Sequence, residues 1–307
     1  MKILITGAAG FIGSHACERF LREGHDLVAV DDLSTGREDY LPAGVKLHRM
    51  DIRDPALPAL VAAERPRMCF HLAAQVDVRK SVDDPITDLQ INVEGTLRVA
   101  QACAAARVKR LVFASSGGAV YGDSVRIPTP EDEHTSPTSP YGCAKRAAEK
   151  YLQTMLRHGT MELVNLRLAN VYGPRQHGRG EAGVVGIFLR HLLAGEDCTI
   201  FGDGSQTRDF IYVDDVVEAF LKAIETRTPG TYNVGTGVET TVRDLHALLA
   251  WMTGVKKPAI YQPAKAGEQM RSVLDCSRIQ RVLAWSPRVS IEEGLKATLD
   301  AVRTTGV

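Results

Sequence analysis

Through the first half of the chain, short and almost continuously apolar runs alternate with longer stretches whose apolar positions recur at helical spacing. The runs Lys2 to Thr6, Asp26 to Val30, Lys46 to Met50, Met68 to Leu72, Arg110 to Ser115 and Glu162 to Leu168 read as strands. Several are nearly unbroken in Val, Ile, Leu, Phe and Met, as strands buried on both faces are. Helices are expected over Gly13 to Glu23, Asn92 to Ala106 and Tyr141 to His158. Such alternation specifies an α/β fold, a doubly wound parallel sheet covered on both sides. After Gly173 the pattern breaks up, and the loops GPRQHGRGEAG, FGDGSQTRDF and YQPAKAGEQ separate shorter elements. The change of texture divides the chain into residues 1–172 and a smaller α/β domain over 173–307, with some chain from the second part returning to the first sheet.

Composition removes several classes of function. Lysine plus arginine (37) balance aspartate plus glutamate (37) over 307 residues, so no global field draws the protein to nucleic acid or an anionic membrane. Cys17, Cys69, Cys103, Cys143, Cys198 and Cys276 are scattered without a CxxC pair, which argues against a metal site or a disulfide framework and for reduced thiols in the cytoplasm. The opening MKILITG runs straight into a glycine loop and reads as a first strand, not a signal peptide, and no other run is long enough to span a bilayer.

The segment ILITGAAGFIGSH sets Gly7, Gly10 and Gly13 between a buried strand and an amphipathic helix, so backbone amides and the helix N-terminus can face a pyrophosphate. The spacing is GxxGxxG, and context gives it weight. The next strand ends at Asp31, about 20 residues on, where a carboxylate accepts hydrogen bonds from an adenosine ribose. Asp31 and Asp32 would repel a phosphate on that ribose, and no arginine immediately follows to compensate, so the expected cofactor is NAD in a Rossmann domain. Asp51 and Ile52, then Leu72, Ala73 and Ala74, lie at further strand ends along the expected dinucleotide path.

Tyr141 and Lys145, in YGCAK, stand four residues apart and so share a helix face. An unperturbed tyrosine titrates near pH ~10; a neighbouring ammonium and a positive nicotinamide favour its phenolate, which makes a general base. Ser115 and Ser116, at the end of a nearby strand, supply a hydroxyl to orient a reacting alcohol, with Ser116 the first choice and Ser115 the second.

The motifs TGAAGFIGSH, VDDLSTG, HLAAQ, SSGGAVYG, SPYGCAK, RLANVYGPRQ and RDFIYVDDV, in this order, resemble the extended short-chain dehydrogenase/reductase family, in its NAD-dependent epimerase/dehydratase group, over nearly the whole chain. Within the group the chain is most similar to the UDP-glucose 4-epimerases. The resemblance implies an NAD-binding Rossmann domain over 1–172 and a mainly nucleotide-sugar-binding domain over 173–307. It implies oxidation of the sugar at C4, rotation of the ketone and return of hydride to its other face. Tyr141 would take the C4 proton with help from Ser116, and Lys145 would tune Tyr141 and bind the nicotinamide ribose. It also implies cofactor contacts from Phe11, Ile12, Ser34, Thr35, Gly36 and Ser115 besides those above. Substrate contacts would come from Asn170, Val184, Val185, Arg208, Lys265 and Ser272, with Ser272 small where relatives use a bulky tyrosine. His177, Glu268 and Arg271 are expected at the surface.

Related dehydratases carry an acidic pair where this chain has Gly117, Gly118 and Ala119, so elimination lacks a proton carrier and epimerisation is favoured. A dehydratase, a UDP-glucuronate 4-epimerase and a non-catalytic NAD-binding protein stand as alternatives. The family implies a homodimer through the helices near Asn92 to Ala106 and Tyr141 to His158.

Overall fold

The computed structural model describes residues 1–176, 183–264 and 269–305. Seven strands form the main sheet: β1 (Lys2–Thr6), β2 (Asp26–Asp31), β3 (Leu47–Arg49), β4 (Met68–His71), β5 (Arg110–Ser116), β6 (Glu162–Leu168) and β7 (Gly230–Val234). Their order is β7-β6-β5-β4-β1-β2-β3, with every neighbouring pair parallel. The chain winds outward from β1 to β3, returns to β4 and winds outward the other way. The switch point therefore lies between β1 and β4, and the crevice beyond their carboxyl ends is where such sheets bind ligands.

Both faces of the sheet are buried, which explains the unbroken apolar runs. Ile3, Ile5, Phe70, Val112, Val164 and Leu166 pack with Ala16 and Phe20 of α1 (Phe11–Arg22) on one face. Leu4, Val28, Val30, Cys69, Leu111 and Phe113 pack on the other with α2 (Leu57–Glu64), α3 (Thr96–Ala105) and α4 (Pro140–Leu156). The remaining long helices are α5 (Val184–Ala194), α6 (Val213–Glu225), α7 (Val242–Thr253) and α8 (Ile291–Thr305). Of these α6 joins the first face through Val216, Val217 and Phe220. Arg110, at the start of β5, donates to the carbonyls of Ala223, Ile224 and Thr226 and so ties the end of α6 to the sheet. A third core, with Tyr172, Phe188, Leu189, Phe210, Leu245 and Leu295, lies among α5, α7 and α8.

The elements expected from sequence differ from those observed mainly at their ends. Helix α1 begins at Phe11, two residues before Gly13, and β2 and β5 extend through Asp31 and Ser116. The helix expected from Asn92 opens instead with a π-helical turn, Gln90–Gly95, before α3. No helix among the described residues is long and apolar enough to cross a membrane.

Candidate active site

Gly7 takes φ +70°, and a Cβ there would stand 2.6 Å from the Ala73 nitrogen. A Cβ on Gly13 would stand 2.0 Å from the Gly7 oxygen. These contacts are backbone on backbone and cannot yield, so only glycine lets the first loop lie flat under the end of β4. Gly10 caps α1 without a side chain, so the first amides of the helix, at Phe11 and Ile12, have no side-chain cap.

Asp31 is nearly buried, its Oδ2 accepting from the Ala9 amide and its Oδ1 from the Leu33 amide, both at 2.9 Å. Burial pushes its carboxyl above the ordinary value while these amides pull it back. The same carboxylate thus ties the glycine loop to the end of β2. Gly36 packs against it, its absent Cβ 2.9 Å from Oδ1, and exposed Asp32 accepts from both the amide and the hydroxyl of Ser34. Asp51 is held by Arg53, which lowers its pKa, and Ile52 is buried beneath Gly95. The side chain of Ile52 is therefore core, and its backbone is what can face a cofactor.

His71, just before Leu72, Ala73 and Ala74, was not singled out from the sequence. It is buried, and its pKa is driven down to about 3 by burial, with Lys145 adding to the effect. Its hydrogen bonds fix the proton positions. Thr96 gives its proton to the Asn92 carbonyl (2.7 Å), so it accepts from His71 Nε2 (2.8 Å). Nδ1 then accepts from Thr6 (2.7 Å), whose oxygen receives the Ala73 amide (3.4 Å). A neutral imidazole thus wires the loop after β4 to β1 and α3.

Helix α4 begins with Pro140, with Ser139 capping the Gly142 amide at 3.1 Å and Ser81 accepting the Tyr141 amide at 3.1 Å. One turn in, Lys145 is buried, donates to the Ala114 carbonyl at 3.0 Å, and lies 4.9 Å from the Phe113 ring centroid and 6.0 Å from that of Tyr141. Burial brings its pKa down to about 8. The helix therefore presents tyrosine and lysine together against the end of β5.

The two serines diverge because successive strand residues face opposite ways. Ser115 donates to Glu149 Oε1 at 2.6 Å, inside a cluster in which Arg167 and Arg146 also hold Glu149. Its hydroxyl is engaged there, inside the Glu149 cluster. Ser116 is half-buried and makes no capping bond to the short helix Gly117–Val120 that follows.

On the substrate side Gly118 brings two expected residues together: its absent Cβ would be 3.6 Å from Ser272 Oγ and 3.8 Å from Asn170 Oδ1. The space beside Gly117 is filled by the Leu274 side chain. Arg208 lies in a three-stranded sheet with Thr240–Thr241 and Arg271–Ser272 and donates to the Thr207 carbonyl at 2.8 Å. Its neighbour Asp209, which the sequence showed only as part of RDF, is buried and accepts from Thr236, Gly237 and Leu274, so it fixes this end of the site. Val184 opens α5, whereas the Val185 side chain is core, leaving its backbone as the available contact. Arg271 is exposed and paired with Glu239. Lys265, His177 and Glu268 lie outside the described residues.

Residues 3–235 match the model of the NAD dependent epimerase/dehydratase family. The chain belongs to that family. It is 45% identical over 309 residues to a UDP-glucose 4-epimerase of Mycolicibacterium smegmatis, covering 99% of each chain. Among solved structures it resembles the UDP-glucose 4-epimerase of Thermotoga maritima with UDP-glucose, at 43% identity and a TM-score of 0.98 over 100% of both chains. It also resembles the Thermus thermophilus UDP-glucose 4-epimerase complexed with NAD, at 39% identity and a TM-score of 0.93 over 99% of each. For a member of the NAD dependent epimerase/dehydratase family, the glycine cradle and the acidic end of β2 have a common explanation in the dinucleotide.

Proposed function

We propose that this chain is an NAD-dependent UDP-sugar 4-epimerase that interconverts UDP-glucose and UDP-galactose. The observation that carries the reading is the Tyr141–Lys145 pair, its ammonium 6.0 Å from the tyrosine ring and bonded to the Ala114 carbonyl of β5; the side chains near Gly118, Ser272 and Asn170, are neutral. Oxidation of an alcohol needs a base; elimination needs an additional acid, which Gly117, Gly118 and Ala119 do not provide.

In this reading Tyr141 accepts the proton of the sugar C4 hydroxyl and later returns it. Lys145, as an ammonium, stabilises the phenolate and reaches the nicotinamide ribose, while Ser116 holds the C4 oxygen. Bound NAD supplies a hydride acceptor that gives the hydride back, so the reaction is redox-neutral. Arg208 holds the diphosphate, Lys265 adds a second cation, and Asn170 with the Val184 and Val185 backbone positions the nucleotide. The small side chain of Ser272 leaves room for an N-acetyl group, and the N-acetylhexosamine pair is proposed as a further substrate. The support is the set of similar epimerases together with the geometry above.

The test is incubation of the protein with UDP-galactose, resolving sugar nucleotides by chromatography and mass while recording NADH absorbance. UDP-glucose of equal mass without accumulated NADH is expected. A product lighter by water, or stoichiometric NADH, would sink the reading in favour of a dehydratase or a dehydrogenase.

A homodimer is part of the proposal. Val78, Val82, Ile86 and Leu89 on the short helices Val78–Asp83 and Pro85–Leu89, with Tyr151 and Met155 on α4, are exposed large apolar side chains on elements that pack together. They support a contact that includes residues 78–89 beside the expected helices near Asn92 to Ala106 and Tyr141 to His158. The cytoplasm is the proposed location, supported by six free cysteines.

A further inference from the structure

We propose that Asp88 is a positioning residue of the proton-transfer site, its carboxylate supplying the counter-charge to the Lys145 ammonium. The inference rests on the reading of Tyr141 and Lys145 given above. A buried ammonium has three donors to satisfy and a charge to balance. Lys145 has one hydrogen bond, to the Ala114 carbonyl, and a ring beneath it. Two carboxylates act on it, Asp88 and Glu149. Glu149 is already neutralised by Arg167 and Arg146 and hydrogen-bonded by Ser115.

Asp88 is differently placed. It is 1% exposed, on the helix Pro85–Leu89 that packs against α4. Its Oδ1 accepts from two neutral amides, Gln75 Nε2 at 2.9 Å and Asn92 Nδ2 at 2.8 Å. Its Oδ2 is buried and has no partner in the protein. The π-turn Gln90–Gly95 aims Asn92 at both Asp88 and the Gln75 backbone, so the carboxylate is fixed in place without being discharged.

Of the other charged groups nearby, buried Asp77 accepts from the Arg79 and Lys80 amides. On the neighbouring helix Arg79, Lys80 and Asp83 are exposed, as is Asp84, while Glu94 pairs with Arg98. His71 beneath Lys145 is neutral. Burial raises the Asp88 carboxyl, while the Gln75 and Asn92 amides and then Lys145 pull it back; burial lowers Lys145 and Asp88 pulls it up. Loss of the Asp88 charge would therefore let Lys145 lose its proton closer to neutral pH, and a neutral amine cannot stabilise the Tyr141 phenolate.

The experiment is the pH profile of kcat for UDP-galactose in wild type and Asp88→Asn. The alkaline fall in activity should begin about one pH unit lower in the variant, giving a roughly tenfold loss on the alkaline side and little loss near pH ~6.5 with KM unchanged. An unshifted alkaline limb, or an equal loss at every pH, would overturn the proposal. A second comparison needs no turnover and so separates this inference from the functional reading. Lys145→Met leaves Asp88 uncompensated, and adding Asp88→Asn should raise the melting temperature of that variant; a double variant no more stable than Lys145→Met would also overturn it.

Discussion

The two adjacent serines show how far one residue can be read. Sequence placed a hydroxyl at the end of β5 but could not tell the two apart, because what distinguishes them is Ser115's bond to Glu149, 34 residues away on α4. Ser115→Ala removes a buried bond to a carboxylate and should lower unfolding stability by about 2 kcal/mol with kcat nearly intact, measured by denaturant unfolding and steady-state assay. Ser116→Ala should do the reverse, leaving stability unchanged and lowering kcat by about 10²-fold. Tyr141 and Lys145 were legible because spacing by four is a property of the helix itself. His71 was not, since its proton positions are set by Thr6 and Thr96, residues brought to it only by the sheet and α3. Its nearly complete burial is equally invisible along the chain.

Elements were legible where they are long and buried, as β1, β4 and β6 are. The short strands Thr207–Arg208, Thr240–Thr241 and Arg271–Ser272 have two residues each, too few for any period, and they exist because distant segments pair. That pairing is what holds Arg208 beside Ser272, so the substrate end was readable only through motif resemblance. The glycine loop lies at the other extreme, its spacing and its structure saying the same thing. Gly7→Ala forces a side chain onto the Ala73 backbone at a positive φ, and NAD affinity should fall by at least about tenfold while UDP-sugar contacts in the second half stay in place. Calorimetric titration with NAD checks this; undiminished affinity would remove the loop from the cofactor site.

At the scale of the molecule, chain from beyond residue 172 joins the main sheet. Strand β7 pairs with β6, and α6 covers the sheet beside α1, so chain from the second half completes the first-half sheet. Sequence carries such a return weakly, because joining a sheet edge is a long-range event with no local signature. The exposed apolar row from Val78 to Leu89 belongs to this scale as well. Val82→Asp should shift the protein from dimer to monomer in light scattering without altering its helix content, and a wild type already monomeric at working concentration would contradict the proposed homodimer. The central claim, that hydrogen leaves C4 as a hydride and comes back to the same carbon, is tested most directly by converting UDP-galactose in D₂O and examining the product by NMR and mass. The account predicts UDP-glucose that has kept its hydrogen at C4, with no deuterium on any carbon, because a hydride held in the site does not exchange with solvent. Deuterium at C4 or C5, or loss of water, would contradict it.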